Sequence, residues 1–240
     1  MLLILDDYLK FSIFIFTFYF STMAKVIHSP GGTFNGKVGN LVFYQVGGQT
    51  YFRKAPSKQT KAQKQKVSPL KKISQDKMGM TQRYLKPLIK VIAFGFQEFE
   101  AGARRAYHAC VSHTKAHCFV QETDAFYIDP ALFKVSKGSL MPPQNASAEK
   151  AAEGITFTWK DNSWISSAKP FDKAFVVLYN PEKKQVHWEF LGRTRETGQH
   201  ILALHPMHTE GPWDVYLAFS QEQARTKKRM LSDSVYLGKM

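Results

Sequence analysis

Ile155-Thr156-Phe157-Thr158-Trp159 alternates large apolar side chains with threonine. A period of two marks a strand with one buried face and one open face. The pattern returns downstream: Val186, Trp188 and Phe190 alternate, as do Trp213, Val215, Leu217 and Phe219 against Asp214, Tyr216 and Ala218. Ala174 to Tyr179 is a nearly continuous apolar run, which suits a central strand, and His200 to Leu204 reads as another. In the last strand Leu231, Asp233, Val235 and Leu237 share one face, with Ser232, Ser234 and Tyr236 on the other. Turn residues separate the runs, as in Asn180-Pro181-Glu182-Lys183-Lys184. Short strands at this spacing over residues 154–240 predict an all-β sandwich burying Trp159, Trp188 and Trp213 between its sheets. The Cys-Trp-Cys pattern of antibody domains is absent, so the expected form is immunoglobulin-like of the fibronectin-III kind.

Working toward the N-terminus, Met141-Pro142-Pro143-Gln144-Asn145 opens a predicted linker over residues 141–153. An exposed linker there implies ready proteolysis and a sandwich that folds alone from Gly154 onward. Residues 23–140 read as a basic hairpin-and-helix module, which makes the whole chain α+β. Leu41 to Val46 and Gln49 to Lys54 flank Gly47-Gly48, a two-residue hairpin turn. Ser68-Pro69 is an N-cap followed by proline in the first helical position, for a helix running to Tyr84 and weakened by Gly79. Pro87 opens a second helix carrying Leu88, Ile89, Ile92 and Phe96, with Gly95 at its fraying end. Ala103 to Ala116 is a third helix, and Phe126–Ile128 and Leu132–Val135 are short strands around Asp129-Pro130. Residues 1–22 are phenylalanine-rich, and Asp6 and Asp7 precede their apolar run. No Ala-x-Ala site follows, and the run is about half a membrane span, so translation is expected to begin at Met23. The alternative for this leader is an atypical export or anchor segment.

The formal charge is +14, and it is unevenly placed. Residues 23–140 hold 19 Lys and Arg against 6 Asp and Glu, whereas residues 141–240 hold 13 against 11. Tyr44 and Tyr51 lie in sequence beside Arg53, Lys54, Lys58, Lys61, Lys64, Lys66, Lys71 and Lys72. Aromatic rings stack on bases and lysines neutralise phosphates, so these ten residues form a candidate polyanion or nucleic-acid surface. The predominance of Lys over Arg favours charge over geometric readout. The competing account is a solvated basic face with its aromatics turned inward.

Three motifs fail on their own chemistry. Gly31-Gly32-Thr33-Phe34-Asn35-Gly36-Lys37-Val38 has P-loop spacing, but Val38 stands where a Mg²⁺-binding hydroxyl is required and a strand follows. His108, Cys110, His113, His117 and Cys118 crowd one helical segment, without the second element a zinc site draws on. His200, His205 and His208 cluster near a strand end, but no nucleophile elbow surrounds any serine, Ser220 included. No metal, cofactor or catalytic residue is therefore expected. Cys110 and Cys118 lie about 12 Å apart along a helix, too far for a disulfide, which fits a reducing, cytoplasmic compartment.

Asn35-Gly36-Lys37-Val38-Gly39-Asn40, Ala125 to Leu140, Ile155 to Ser163, Asp172 to Lys184 and Ser234-Val235-Tyr236-Leu237-Gly238 together resemble one family. It is the uncharacterised Bacteroidota family called domain of unknown function 6266, whose members typically begin near Met23. The resemblance implies no activity, cofactor or partner. Two function classes follow: a non-enzymatic structural or protein-interaction protein that presents its sandwich, or a non-specific polyanion binder that uses its basic half.

Overall fold

The computed structural model describes residues 24–25, 35–58, 60–61, 67–122, 125–151, 153–204, 211–223 and 229–240. The leader expected over residues 1–22 lies outside them, as do residues 31–34 of the P-loop-like stretch. The fold is α+β with antiparallel sheets, divided into two compact units at Lys66/Val67.

The first unit is a four-stranded sheet of β1 (Ala24–Lys25), β2 (Gly36–Val38), β3 (Leu41–Val46) and β4 (Gln49–Lys54), in the order β1-β4-β3-β2. Gly47 and Gly48 adopt φ of 60° and 77°, the left-handed pair that a two-residue turn needs to follow strand twist.

The second unit begins with α1 (Pro69–Leu85). Its Ser68 cap accepts a hydrogen bond from the Lys71 N–H at 3.3 Å, with Pro69 in the first turn, as expected. A 3₁₀ turn over Lys86–Leu88 leads into α2 (Ile89–Gly95), and α3 spans Ala106–His117. Gly95 is a point of close approach rather than a fraying end: a Cβ there would overlap the Val135 carbonyl oxygen. The Ser136 hydroxyl donates to the Gly95 carbonyl at 3.2 Å and seals the contact.

A hairpin of β5 (Phe119–Glu122) and β6 (Ala125–Ile128) follows. Leu132–Val135, expected as a strand, is irregular. The Asp129 carboxylate accepts from the Ala131 N–H and the Asp129 carbonyl from Phe133, so the chain turns there instead of extending. The stretch expected as a linker carries β7 (Gln144–Ala151). It pairs with β8 (Gly154–Lys160), which pairs with β11 (Gln199–Ala203). The second sheet has the order β10 (Gln185–Glu189), β9 (Lys173–Asn180), β12 (Asp214–Glu222), with β13 (Arg229–Leu231) and β14 (Val235–Lys239) both on β12.

Three layers result. Ile155, Phe157 and Trp159 of β8 meet Val176, Leu178, Val215, Leu217 and Phe219 between the two sheets. On the outer face of the larger sheet, Phe175, Val177, Tyr179 and Tyr216 pack on Leu85, Leu88, Val91 and Ile92 of the helical layer. β9 is thus buried on both faces, which is why its sequence is apolar without alternation. Helix burial also covers Tyr216 and Ala218, which alternation alone had assigned to the open face. Trp159 and Trp213 lie between the sheets, whereas Trp188 packs on the helix side. Trp188 pairs with Val177, and cross-strand partners share a face. The single last strand is in fact two, because the Ser232 and Ser234 hydroxyls accept from the backbone N–H groups of Phe219 and Val135. Leu231 accordingly belongs to the helix-side core and Leu237 to the inter-sheet core.

Candidate interaction surfaces

In the first unit, strand register sorts the candidate residues by face. Lys37, Val42 and Arg53 form one cross-strand row, and Tyr44 pairs with Tyr51 two positions along, on the same face. The tyrosine rings lie 5.9 Å apart with 23° between their planes. Phe43 and Phe52 pair on the opposite face, and Lys54 falls in register with them, opposite Leu41. Arg53, Lys54, Lys58 and Lys61 are exposed. Lys64 and Lys66 lie outside the described residues. Lys71 and Lys72 are exposed in the first turn of α1, in the second unit. Of the ten candidates, the hairpin therefore brings Tyr44, Tyr51 and Arg53 onto one face and turns Lys54 to the other.

The histidine–cysteine segment divides inside the fold. Cys110 is buried, with Sγ 3.9 Å from the Thr114 hydroxyl, and burial pushes its thiol up to about 12. Cys118 donates to the Leu132 carbonyl at 3.2 Å, and burial raises it to about 11. Both thiols are free and stay protonated at neutral pH, so neither is a ready thiolate ligand. Among the described residues no three His, Cys, Asp or Glu side chains are grouped to hold a metal. EDTA is expected to leave the melting temperature unchanged, because structural zinc makes folding metal-dependent. A sharp fall on chelation in a thermal scan would overturn this.

His200 is buried. Its Nδ1 accepts from the Arg193 N–H at 3.4 Å, its Nε2 lies 3.1 Å from the Glu189 carboxylate, and burial lowers its pKa. His205 and His208 lie outside the described residues. Ser220 donates to the Lys173 carbonyl at 3.5 Å, and Asp214 accepts from the Tyr236 hydroxyl at 3.1 Å. These contacts tie strands together.

What the sequence reading missed is a buried cluster tying the β8–β9 connection to the 3₁₀ turn over Arg195–Thr197, before β11. Arg195, 0% exposed, donates from Nε to the Asp172 carboxylate at 3.0 Å. It also donates to the Asn162 side-chain carbonyl and to the Met141 carbonyl, the latter at 2.8 Å. Its guanidinium lies over the Phe219 ring at 3.8 Å, and its own carbonyl accepts from the Trp159 indole at 2.7 Å. Asp172 accepts further from the Gln221 amide and the Lys169 N–H, both at 2.9 Å. Burial pushes the Asp172 carboxyl up from its ordinary value against the pull of Arg195. The residues come from separate stretches, so no spacing motif announces them.

Between these anchors the connection projects apolar side chains. Trp164 is 69% exposed, Ile165 49% and Phe171 58%. Trp164 and Ser166 have φ of 71° and 53°, and a bulky residue in that region is strained unless its surroundings hold it. The Trp164 N–H donates to the Ala168 carbonyl, the Ala168 N–H to Ile165, and the Ile165 N–H to Asn162, the last a partner of Arg195. Lys169 lies 4.7 Å from the Trp164 ring centroid. The sequence signal was Trp-Ile within Asp161-Asn162-Ser163-Trp164-Ile165-Ser166-Ser167, large apolar residues inside a polar turn.

The class so defined is an α+β chain with a two-sheet unit backed by helices and a separate basic hairpin sheet. The chain belongs to the Family of unknown function (DUF6266), which matches it over residues 33–238. No curated protein and no solved structure matches it. Among the described residues no helix is long and apolar enough to cross a membrane.

Proposed function

We propose that the chain is a non-enzymatic interaction protein whose residues 144–240 form a fibronectin-III-like sandwich presenting the β8–β9 loop to a protein partner. Strand order supports the sandwich reading. Counting β7 as the first strand, the first, second and fifth share one sheet, and the third, fourth, sixth, short seventh and last share the other. Immunoglobulin-type sandwiches divide their strands in nearly this way. The exposure of Trp164 on a hydrogen-bonded, strained loop carries the interaction reading. Clustered exposed aromatics on rigid supports act as binding anchors, and singly scattered ones do not. The β8–β9 loop corresponds to one of the loops that carry antigen contacts in antibody variable domains. Two free, buried cysteines fit a reducing cytoplasm. The test compares wild type with Trp164→Ser/Phe171→Ser in quantitative capture from the native cell. Specific partners should be lost while the urea midpoint is kept, because both side chains are exposed. Identical capture by both proteins overturns the reading.

A second reading, non-specific polyanion binding, rests on the shared face of Tyr44, Tyr51, Arg53 and Lys37. On this reading the protein binds duplex DNA weakly, and log K falls with log salt in proportion to the phosphates neutralised, about 0.9 per contact. Replacing Arg53, Lys54, Lys58 and Lys61 with Gln is expected to flatten that slope by about 2–4 in fluorescence anisotropy. An unchanged slope, or no retention on a DNA column at about 50 mM salt, removes this reading.

A further inference from the structure

A further surface feature lies in the helical layer of the second unit. A cavity of about 190 Å³ opens beside α3, with Phe96 and Phe99 in its lining. Ala109, Ser112 and Ala116 line it from one face of the helix, at spacings of three and four, and their small side chains leave the space open. His113 and His117 share that face, with ring centroids 5.0 Å apart. Arg104 and Lys137 complete the wall. Neither cation has an ion-pair partner among the described residues.

No carboxylate lines the space. The nearby acids are used elsewhere: Glu98 accepts from Ser139 and Leu231, and Glu100 accepts from the Ala106 N–H at 3.2 Å. Asp233, the acid that acts on His113, accepts from the Gly138 N–H at 3.3 Å. Lys134 and Lys137 oppose it from the segment before β7, and His117 from α3 itself. Two cations, Arg104 and Lys137, thus line the cavity with no carboxylate among its lining residues, and an anion entering there would be favoured by both. Burial first, and then Lys137 and His117, hold His113 down to about 4. One ring nitrogen of His113 faces the Cys118 sulfur at 3.9 Å, and the other has no protein partner among the described residues.

We propose that this cavity binds a compact dianion, specifically the phosphate of a phosphate monoester. Arg104 and Lys137 supply the charge, and the His113 and His117 rings flank them, His113 becoming a donor toward the anion as it takes up a proton. Arg matches phosphate geometry with paired N–H groups, and Lys adds a point charge. The space is ample for a phosphate, and Phe99 in its lining offers an apolar surface to the esterified group.

The test is a phosphate titration of the full chain at constant ionic strength, followed by the His113 and His117 ring resonances. The probes are inorganic phosphate, phenyl phosphate and the diester dimethyl phosphate. The expected result is saturable shifts of both rings with inorganic and phenyl phosphate, a His113 pKa that rises when phosphate is bound, and no effect of the diester. Ala116→Leu fills the cavity without altering charge and should weaken binding at least tenfold. Arg104→Gln and Lys137→Gln should each do the same. Both Ala116 and Arg104 are exposed, so folding is expected to survive. The proposal is overturned by linear, unsaturated shifts up to about 20 mM phosphate. It is equally overturned by Ala116→Leu binding phosphate as wild type does, or by the diester binding as well as the monoester.

Discussion

Arg195→Leu is expected to lower stability by about 3–5 kcal/mol, the usual cost of leaving one partner of a buried ion pair alone. The loss extends beyond the pair, because the Asn162 and Met141 carbonyls lose their donors as well. A domain of this kind is stable by about 5–15 kcal/mol, so the variant should unfold at a much lower urea concentration with an unchanged slope. The pH dependence has a definite sign. Burial already raises Asp172 in the folded protein, and without Arg195 it rises further. A carboxyl raised above its unfolded value binds protons more readily when folded, so stability falls as pH rises through that window. The deficit of Arg195→Leu relative to wild type should therefore be largest near neutrality and should narrow as the pH falls through the raised Asp172 value. A deficit below about 1 kcal/mol, or one that does not change with pH, would show that Asp172 is neutral or well solvated without its partner. Arg195→Lys retains the charge but cannot reach all three acceptors, and should fall between the two.

The same cluster shows where sequence reading reached and where it stopped. Local signals were legible. Ser68-Pro69 capped α1, Gly47-Gly48 turned the first hairpin, and the alternation of Ile155, Phe157 and Trp159 gave β8 its buried face. Each depends on neighbours within a few residues. The continuous run from Ala174 to Tyr179 also marked a central strand, but only the helices against its outer face explain why Phe175, Val177 and Tyr179 are apolar. Long-range placement was not legible. Trp188 alternates like Trp159, and cross-strand registry with Val177 decides which core it joins. Pro142-Pro143 is strong linker chemistry, but the strand beginning at Gln144 has its pairing partner in β8, a fact held in neither segment alone. The Arg195, Asp172 and Asn162 cluster has no periodicity, and its members are meaningful only once the chain has folded. For the candidate surfaces the difference is similar. Charge runs pointed to the hairpin, and register then separated Arg53 from Lys54. The Trp164 loop carried a signal, Trp-Ile inside a polar turn, but its exposure is what marks it as a surface.

Residues 154–240 alone are expected to fail to fold, although turn chemistry at Pro142-Pro143 had suggested an independent sandwich. Truncation at Gly154 removes β7, which leaves β8 as an open edge, and removes the Met141 carbonyl that Arg195 requires. It also strips the helical layer from the larger sheet. Phe175, Val177, Tyr179 and Tyr216 are at most 1% exposed in the intact chain. Uncovering these four forfeits roughly 6–12 kcal/mol at about 1.5–3 kcal/mol per large side chain, comparable with the whole stability of a domain. The Tyr179 hydroxyl loses the Tyr84 carbonyl at 2.9 Å, and Val135 and Ser136 no longer donate to Ser234. An apolar sheet face beside an unpaired strand edge favours association between copies. The fragment should therefore show no cooperative melt and weak near-ultraviolet dichroism, and it should sediment as aggregate. A chain from Val67 to Met240 keeps all three layers, and should melt cooperatively at nearly the temperature of the second unit in the intact protein. A cooperative transition in the shorter fragment would mean that the two sheets hold together through the Ile155, Phe157, Trp159 and Phe219 core alone, with the helices an accessory to a self-sufficient sandwich.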